Sequence, residues 1–223
     1  MRYILLFLPA LMLSAQTPPP AAAPAPAKKA APVAAKPATA APSTVLARNF
    51  KESGSPTAPI TIEIYTDYEC PACRDLYLNT LPALITDFVQ TGKVRLVHRD
   101  YPLPQHQYSP QATRYANAAG EIGKYELVAQ QIFQTQPEWS QSGNVDAQVA
   151  KVLSPADMAK VREIVKTDTK MQDGISKDVA QGNVDRLTQT PTMMIVAGGK
   201  REQIAGGMPY SILKSYLNKK LGQ

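Results

Sequence analysis

Cys70-Pro71-Ala72-Cys73 holds the only two cysteines of the 223-residue chain. Two intervening residues in a first helical turn bring a pair of sulfurs into bonding range. An alternating apolar run, Ile60-Thr61-Ile62-Glu63-Ile64-Tyr65, precedes the pair, and a helix-like run from Arg74 to about Gln90 follows it. The pair therefore stands at a strand-to-helix junction, where Cys-x-x-Cys reads as a redox motif. The unpaired N–H groups and positive dipole end of a helix N-terminus favour a thiolate there. Pro71 suits the first turn, because its missing N–H would have had no intrahelical partner.

Other chemistries fit these residues less well. A structural zinc site needs about four ligands, and the pair supplies two. His98 and His106 are the only histidines, and their spacing does not complete a finger. Covalent haem requires His directly after the second Cys, where Arg74 stands. No metal and no cofactor is expected beyond the Cys70–Cys73 pair. An inert disulfide is the competing reading, although so short a loop gains little from chain-entropy restriction. Glu69 beside Cys70 either disfavours the thiolate as a like charge or is a solvated turn residue. Asp67, Arg74 and Asp75 flank the motif and either tune its field or, by default, are solvated charges; His98 and His106 read as structural polar groups far from the motif, and Trp139 as a packing residue.

The elements that must position the pair follow from periodicity and punctuation. Leu76, Leu81, Leu84, Ile85, Phe88 and Val89 fall at helical spacing, with Pro82 expected to kink the helix and Gly92 to stop it. Lys93 to Arg99 alternates as a second strand, and Asp100 to Pro104 is a loop. Ser109 to Gln181 is helical in pattern, with breaks expected at Gly120, Gly123 and Gln136 to Gly143. Ser154-Pro155-Ala156-Asp157 has a helix-start pattern. Pro191 to Val196 is a short apolar strand, Gly198-Gly199 a hairpin turn, and Arg201 to Ala205 its partner. Ser211 to Leu221 closes the chain as a helix with Ile212, Leu213, Tyr216 and Leu217 as its buried stripe.

Before the domain, residues 1–15 read as a secretory signal peptide: one positive charge, a short apolar run, then Ser14-Ala15. Residues 16–43 are mostly Ala and Pro and read as an extended tether without a core. The folded domain is expected over 44–223, enough residues for one core. A net charge of +6 is spread along the chain. No basic stripe with interleaved aromatics is present, so nucleic acid is not indicated. Export implies an oxidising compartment, in which a disulfide persists. A bacterial periplasm or extracytoplasmic face is the expected location, with the chain tethered if the signal stays uncleaved.

The order strand, Cys-x-x-Cys helix, strand, helical block, strand, hairpin, strand, helix is the thioredoxin plan with an insert. In this the chain resembles the DsbA-like family of exported thiol:disulfide oxidoreductases. The resemblance rests on Glu63 to Cys73 (EIYTDYECPAC), Leu81 to Asp100 (LPALITDFVQTGKVRLVHRD), Thr190-Pro191-Thr192 and Gly206 to Leu213 (GGMPYSIL). It implies an α/β thioredoxin fold, a central mixed sheet flanked by helices. An all-helical insertion at about 109–181 would separate the β-α-β and β-β-α halves.

It also implies roles. Cys70 would attack or be attacked, and Cys73 would resolve the mixed disulfide. Ala72 stands where some relatives carry His and donates nothing from its side chain, so weaker oxidising power than in those relatives is expected. Glu63 would either lie beneath the cysteines and relay a proton to the resolving thiol or, the loop being one residue longer than in thioredoxin, be a surface-edge Glu. Thr190-Pro191 would be cis against the pair, with the Thr190 backbone free to bind an extended client segment. Expected partners are client proteins with cysteine thiols and a membrane redox partner that resets the pair, and the chain is expected to be a monomer. Disulfide donation is the leading activity. Reductase or isomerase duty is one alternative, lowered because the Ala/Pro tether supplies no dimerising domain. A thioredoxin-fold binding protein or redox sensor with a structural disulfide is the other.

Overall fold

The computed structural model describes residues 49–223. The expected signal peptide, the tether and the domain start at Thr44 lie outside the described residues. Among the described residues a five-stranded sheet has the order β1-β3-β2-β4-β5. Its strands are β1 (Glu52–Ser53), β2 (Ile60–Thr66), β3 (Val94–Asp100), β4 (Thr192–Ala197) and β5 (Lys200–Ala205). Strands β2 and β3 run parallel in a register that pairs Ile60 with Val94 and Thr66 with Asp100. The β1–β3, β2–β4 and β4–β5 pairs are antiparallel. The short β1 was not expected from the sequence; two residues are too few to show a period.

Side-chain alternation divides the sheet into two faces. Ile60, Ile62 and Ile64 of β2, with Val94 and Leu96 of β3 and Met193 and Ile195 of β4, belong to the main core, together with both cysteines. Full burial of each such isoleucine is worth roughly 1.5–3 kcal/mol, so this face anchors the motif's helix firmly. On the opposite face Tyr65 and Met194 pack with Tyr101 and Leu187 in a smaller cluster.

The run after the motif is helical from Pro71 to Val89 but not uniform. It comprises α1 (Pro71–Asp75), a π-helical turn (Leu76–Thr80), α2 (Leu81–Leu84) and a second π-helical turn (Ile85–Val89). Pro82 lacks an N–H for Leu78 and its ring crowds that carbonyl, and the flanking wide turns carry the helix past it. Gly92 stops the run as expected, with Lys93 N–H closing back on the Phe88 carbonyl at 2.9 Å.

The insert comprises α3 (Ser109–Glu121), α4 (Tyr125–Gln134), α5 (Gln136–Ser142), α6 (Val145–Ala150), α7 (Pro155–Thr167) and α8 (Thr169–Val184). It ends at Val184 rather than at Gln181. Two expected breaks are absent in whole or in part. Gly120 lies inside α3, where a Cβ would collide with the Phe50 ring, so the glycine serves close packing. Gln136–Ser142 is helix α5, with Pro137 in its first turn, and only the left-handed Gly143 after it is a break. Ser154 caps α7 by accepting the Asp157 N–H at 3.1 Å. Gly198 and Gly199, with φ of 55° and 73°, make the β4–β5 hairpin turn. The final helix α9 (Tyr210–Lys220) buries Leu213 and Leu217, but Ile212 points outward and is 56% exposed.

Candidate active site

Strand β2 ends at Thr66, and Asp67 to Cys70 carry the chain into α1. Cys70 precedes the first helical residue with an extended backbone (φ −77°, ψ 121°), and Pro71 opens the helix. Cys73 lies inside α1 and is fully buried, whereas Cys70 keeps 7% exposure and Pro71 and Ala72 are exposed. Both thiols are free. The Cys70 thiol donates to the Thr190 carbonyl at 3.4 Å, and the Cys73 sulfur accepts the Asp67 N–H at 3.4 Å. The Thr190-Pro191 peptide is cis. The buried Thr190 hydroxyl, without a geometric hydrogen-bond partner among the described residues, acts on both sulfurs and lowers both thiol pKa values.

This setting drives the two thiols apart. A hydrogen bond from Cys73 lowers the Cys70 pKa to about 5, against the opposing effect of burial and with help from Thr190 and the N–H groups of Cys73 and Ala72. Burial first, and then Cys70 itself, pushes the Cys73 thiol well above the usual range. Ala72 thus contributes to the thiolate through its backbone rather than its side chain. The outer sulfur, with 7% of its residue exposed, favours the thiolate near neutral pH; the inner one is a protonated reserve in the core. That division suits thiol exchange, in which the thiolate is the nucleophile.

The other residues singled out from the sequence fall differently. Glu63 is not beneath the cysteines. Strand alternation puts it opposite Ile62 and Ile64, on the face away from α1, where Arg99 (2.6 Å) and Arg201 (3.0 Å) hold its carboxylate. It is therefore no proton relay to Cys73. Glu69 is half-buried rather than fully solvated: its carboxylate accepts the Tyr108 N–H at 2.7 Å, ahead of α3. Arg74 is half-buried and donates from Nε to the Phe133 carbonyl at 3.0 Å, while Asp75 is exposed and accepts from Asn79. Trp139 is a packing residue, fully buried, with Nε1 donating to the Ile132 carbonyl at 2.7 Å. His98 is buried between the rings of Tyr77 and Tyr125, and burial lowers its pKa.

Three residues near the motif were missed. Asp67, expected to be solvated, is fully buried, and His106, expected to be remote, donates or accepts at Nδ1 with its carboxylate at 2.7 Å. Gln136 of α5 donates from Nε2 to the carbonyls of Tyr68 (2.7 Å) and Cys70 (3.0 Å), so the insert holds the motif loop directly. The helix start at Gln136-Pro137-Glu138 was a usable signal for α5. The Asp67–His106 contact spans 39 positions and leaves no local pattern. Among the described residues no cluster of three or more His, Cys, Asp or Glu side chains is placed to hold a metal ion. No helix among them is long and apolar enough to cross a membrane.

A thioredoxin family model matches residues 51–217. The chain is 29% identical over 170 residues to the Na(+)/H(+) antiporter NhaA 3 of Salinispora tropica, a match covering 71% of this chain and 22% of that protein. It is 35% identical over 49 residues to the probable disulfide bond formation protein D of Bacillus cereus, covering 22% of this chain and 23% of that one. The matches thus span less than a quarter of the length of these curated relatives. The fold is similar to that of Wolbachia pipientis alpha-DsbA1, with a TM-score of 0.65 at 20% identity, over 77% of this chain and 90% of that one.

Proposed function

The chain belongs to the thioredoxin family and has the DsbA-like form of its fold, and from that premise we propose that it is an exported thiol:disulfide oxidoreductase acting as a disulfide donor. The opposed settings of the two sulfurs carry this reading: Cys70, beside the exposed Pro71 and Ala72 and still 7% exposed, has its pKa lowered to about 5, and Cys73, fully buried, has its pKa raised. In the oxidised protein a client thiolate attacks the Cys70 sulfur. A client–Cys70 disulfide forms, the Cys70–Cys73 bond breaks, and Cys73 leaves as a thiolate that takes up a proton. A second client thiolate then attacks its own chain's sulfur in that mixed disulfide. The client disulfide forms and Cys70 departs as a thiolate, a good leaving group because its pKa is low. Two electrons rest on the pair, and a membrane redox partner that accepts them resets it. Clients are proteins with cysteine thiols, met as extended segments beside Thr190, and the enzyme works as a monomer outside the cytoplasm.

The test is the equilibrium of Cys70–Cys73 with glutathione. A reduction potential well above thioredoxin's, about −270 mV, is expected. Cys73→Ala should trap client–Cys70 mixed disulfides. A potential at or below that mark would overturn the donor assignment in favour of a reductase. Failure to exchange with glutathione at all would leave a binding protein or redox sensor.

A further inference from the structure

Asp67 touches both cysteines without using its side chain. Its N–H donates to the Cys73 sulfur at 3.4 Å, and its carbonyl accepts the Cys70 N–H at 3.2 Å. The side chain is occupied elsewhere. One carboxylate oxygen accepts the Glu69 N–H at 2.8 Å, the local turn bond that makes Asp frequent at such positions. That bond alone would leave the second oxygen facing water. Instead it lies in the interior and reaches the loop between β3 and α3, meeting the Leu103 N–H at 2.7 Å and His106 Nδ1 at 2.7 Å. The His106 side chain is 22% exposed, so the clamp runs from the buried sulfur to the surface.

We propose that Asp67, held by His106, is the positioning residue of the resolving step: it aims a backbone N–H at Cys73 and so stabilises the thiolate that must form there. The inference rests on the oxidoreductase reading and adds to it the residues that stabilise Cys73 as a thiolate, the leaving group toward a client and the attacking group when the reduced pair is re-oxidised. Cys73 sits in an apolar core where its ionised form has lost hydration. Among the described residues its sulfur accepts the Asp67 N–H, and that donor is only as well aimed as the 67–70 turn is fixed. The Glu69 bond closes the turn locally, while His106 and Leu103 set its position against the facing loop. In the step itself the Cys73 thiolate attacks the Cys70 sulfur of a mixed disulfide. The Cys70–Cys73 bond forms, the bond to the outer sulfur breaks, and the outer thiolate leaves. Cys73 is oxidised and the outer sulfur is reduced by the same two electrons, so the number of disulfides is unchanged, and the Cys73 proton passes to solvent.

The reduced full chain mixed with Ellman's reagent reports the two steps separately. A second-order phase loads Cys70 and releases one coloured thiolate. A first-order phase then releases the second as Cys73 attacks. Loading should be unchanged in His106→Ala, while the first-order phase slows about tenfold, the expected loss for one hydrogen bond to a charged group, and its pH profile moves upward. His106→Asn, whose amide stands near the position of Nδ1, should restore both rate and profile. Asp67→Ala should slow the same phase at least as much, and the His106 pair carries the test if that variant does not fold. A first-order phase unaltered in His106→Ala, or loading and release slowed together, would overturn the clamp alone. A wild-type protein that loads but never releases the second thiolate would overturn the oxidoreductase reading, and the clamp with it.

Discussion

The low pKa at Cys70 is largely owed to its partner sulfur, since the Cys73 hydrogen bond is its leading cause. Thiolate absorbance at 240 nm in the reduced protein should therefore titrate with a midpoint near pH 5, and Cys73→Ala should move that midpoint upward. A folded pKa below the unfolded thiol value, about 8.5, stabilises the reduced fold fully above that value. The contribution is lost as pH falls toward 5. Above the window the raised Cys73 pKa acts in the opposite direction. Urea midpoints of reduced minus oxidised protein should accordingly rise from acid to mildly alkaline pH; a flat difference would contradict the assignment. At this scale the sequence was informative for the cysteines and for Thr190-Pro191, because both stand in short local patterns. Glu63 was misplaced although the signal was present: it alternates with Ile60, Ile62 and Ile64, and the motif's helix packs on the isoleucine side. Asp67 and His106 are different, since only the folded chain brings them together.

Elements were legible where punctuation and period agree, as in β2, β3 and the hairpin of β4 and β5. They were less so inside the insert, where Gly120 and Gln136 resembled breaks and proved to be a packing site and a helix start. The π-helical turns around Pro82 have no sequence signature that separates them from α-helix. Helix α5 does more than extend the insert, because Gln136 supplies two hydrogen bonds to the motif loop. Gln136→Ala leaves the buried Tyr68 carbonyl without that donor, at a cost of about 1–3 kcal/mol. Urea unfolding of the reduced variant should show the loss, and Cys70 should react faster with iodoacetamide as the loop loosens. An unchanged midpoint would mean that the insert does not support the loop.

Across the whole molecule the insert and the sheet are joined by buried charge. Lys51, 6% exposed, pairs with Asp100 of β3 and with Asp178 of α8 at 3.0 Å, and Asn117 of α3 also reaches Asp100 at 2.8 Å. Burial opposes the Lys51 charge, but the two aspartates outweigh it and raise its pKa, so the ion pair is fully present below the unfolded lysine value. Lys51→Met leaves Asp100 without its cation in the interior, while Asp178 keeps Arg99 at 3.0 Å, and should cost about 3–5 kcal/mol in urea unfolding. Such a cost requires the segment before β2 to be part of the folded unit, which the sequence placed near Thr44 without naming this tie. The order of the strands has a further consequence, for life at high concentration among unfolded chains. At one margin β1 is only two residues long. At the other, β5 offers an unpaired rim, and Lys200, Arg201 and Glu202 stand along it. A short margin and a charged one give neighbouring strands little to zip onto, so on the proposed disulfide-donor reading the chain is guarded against co-aggregating with the extended segments it would meet.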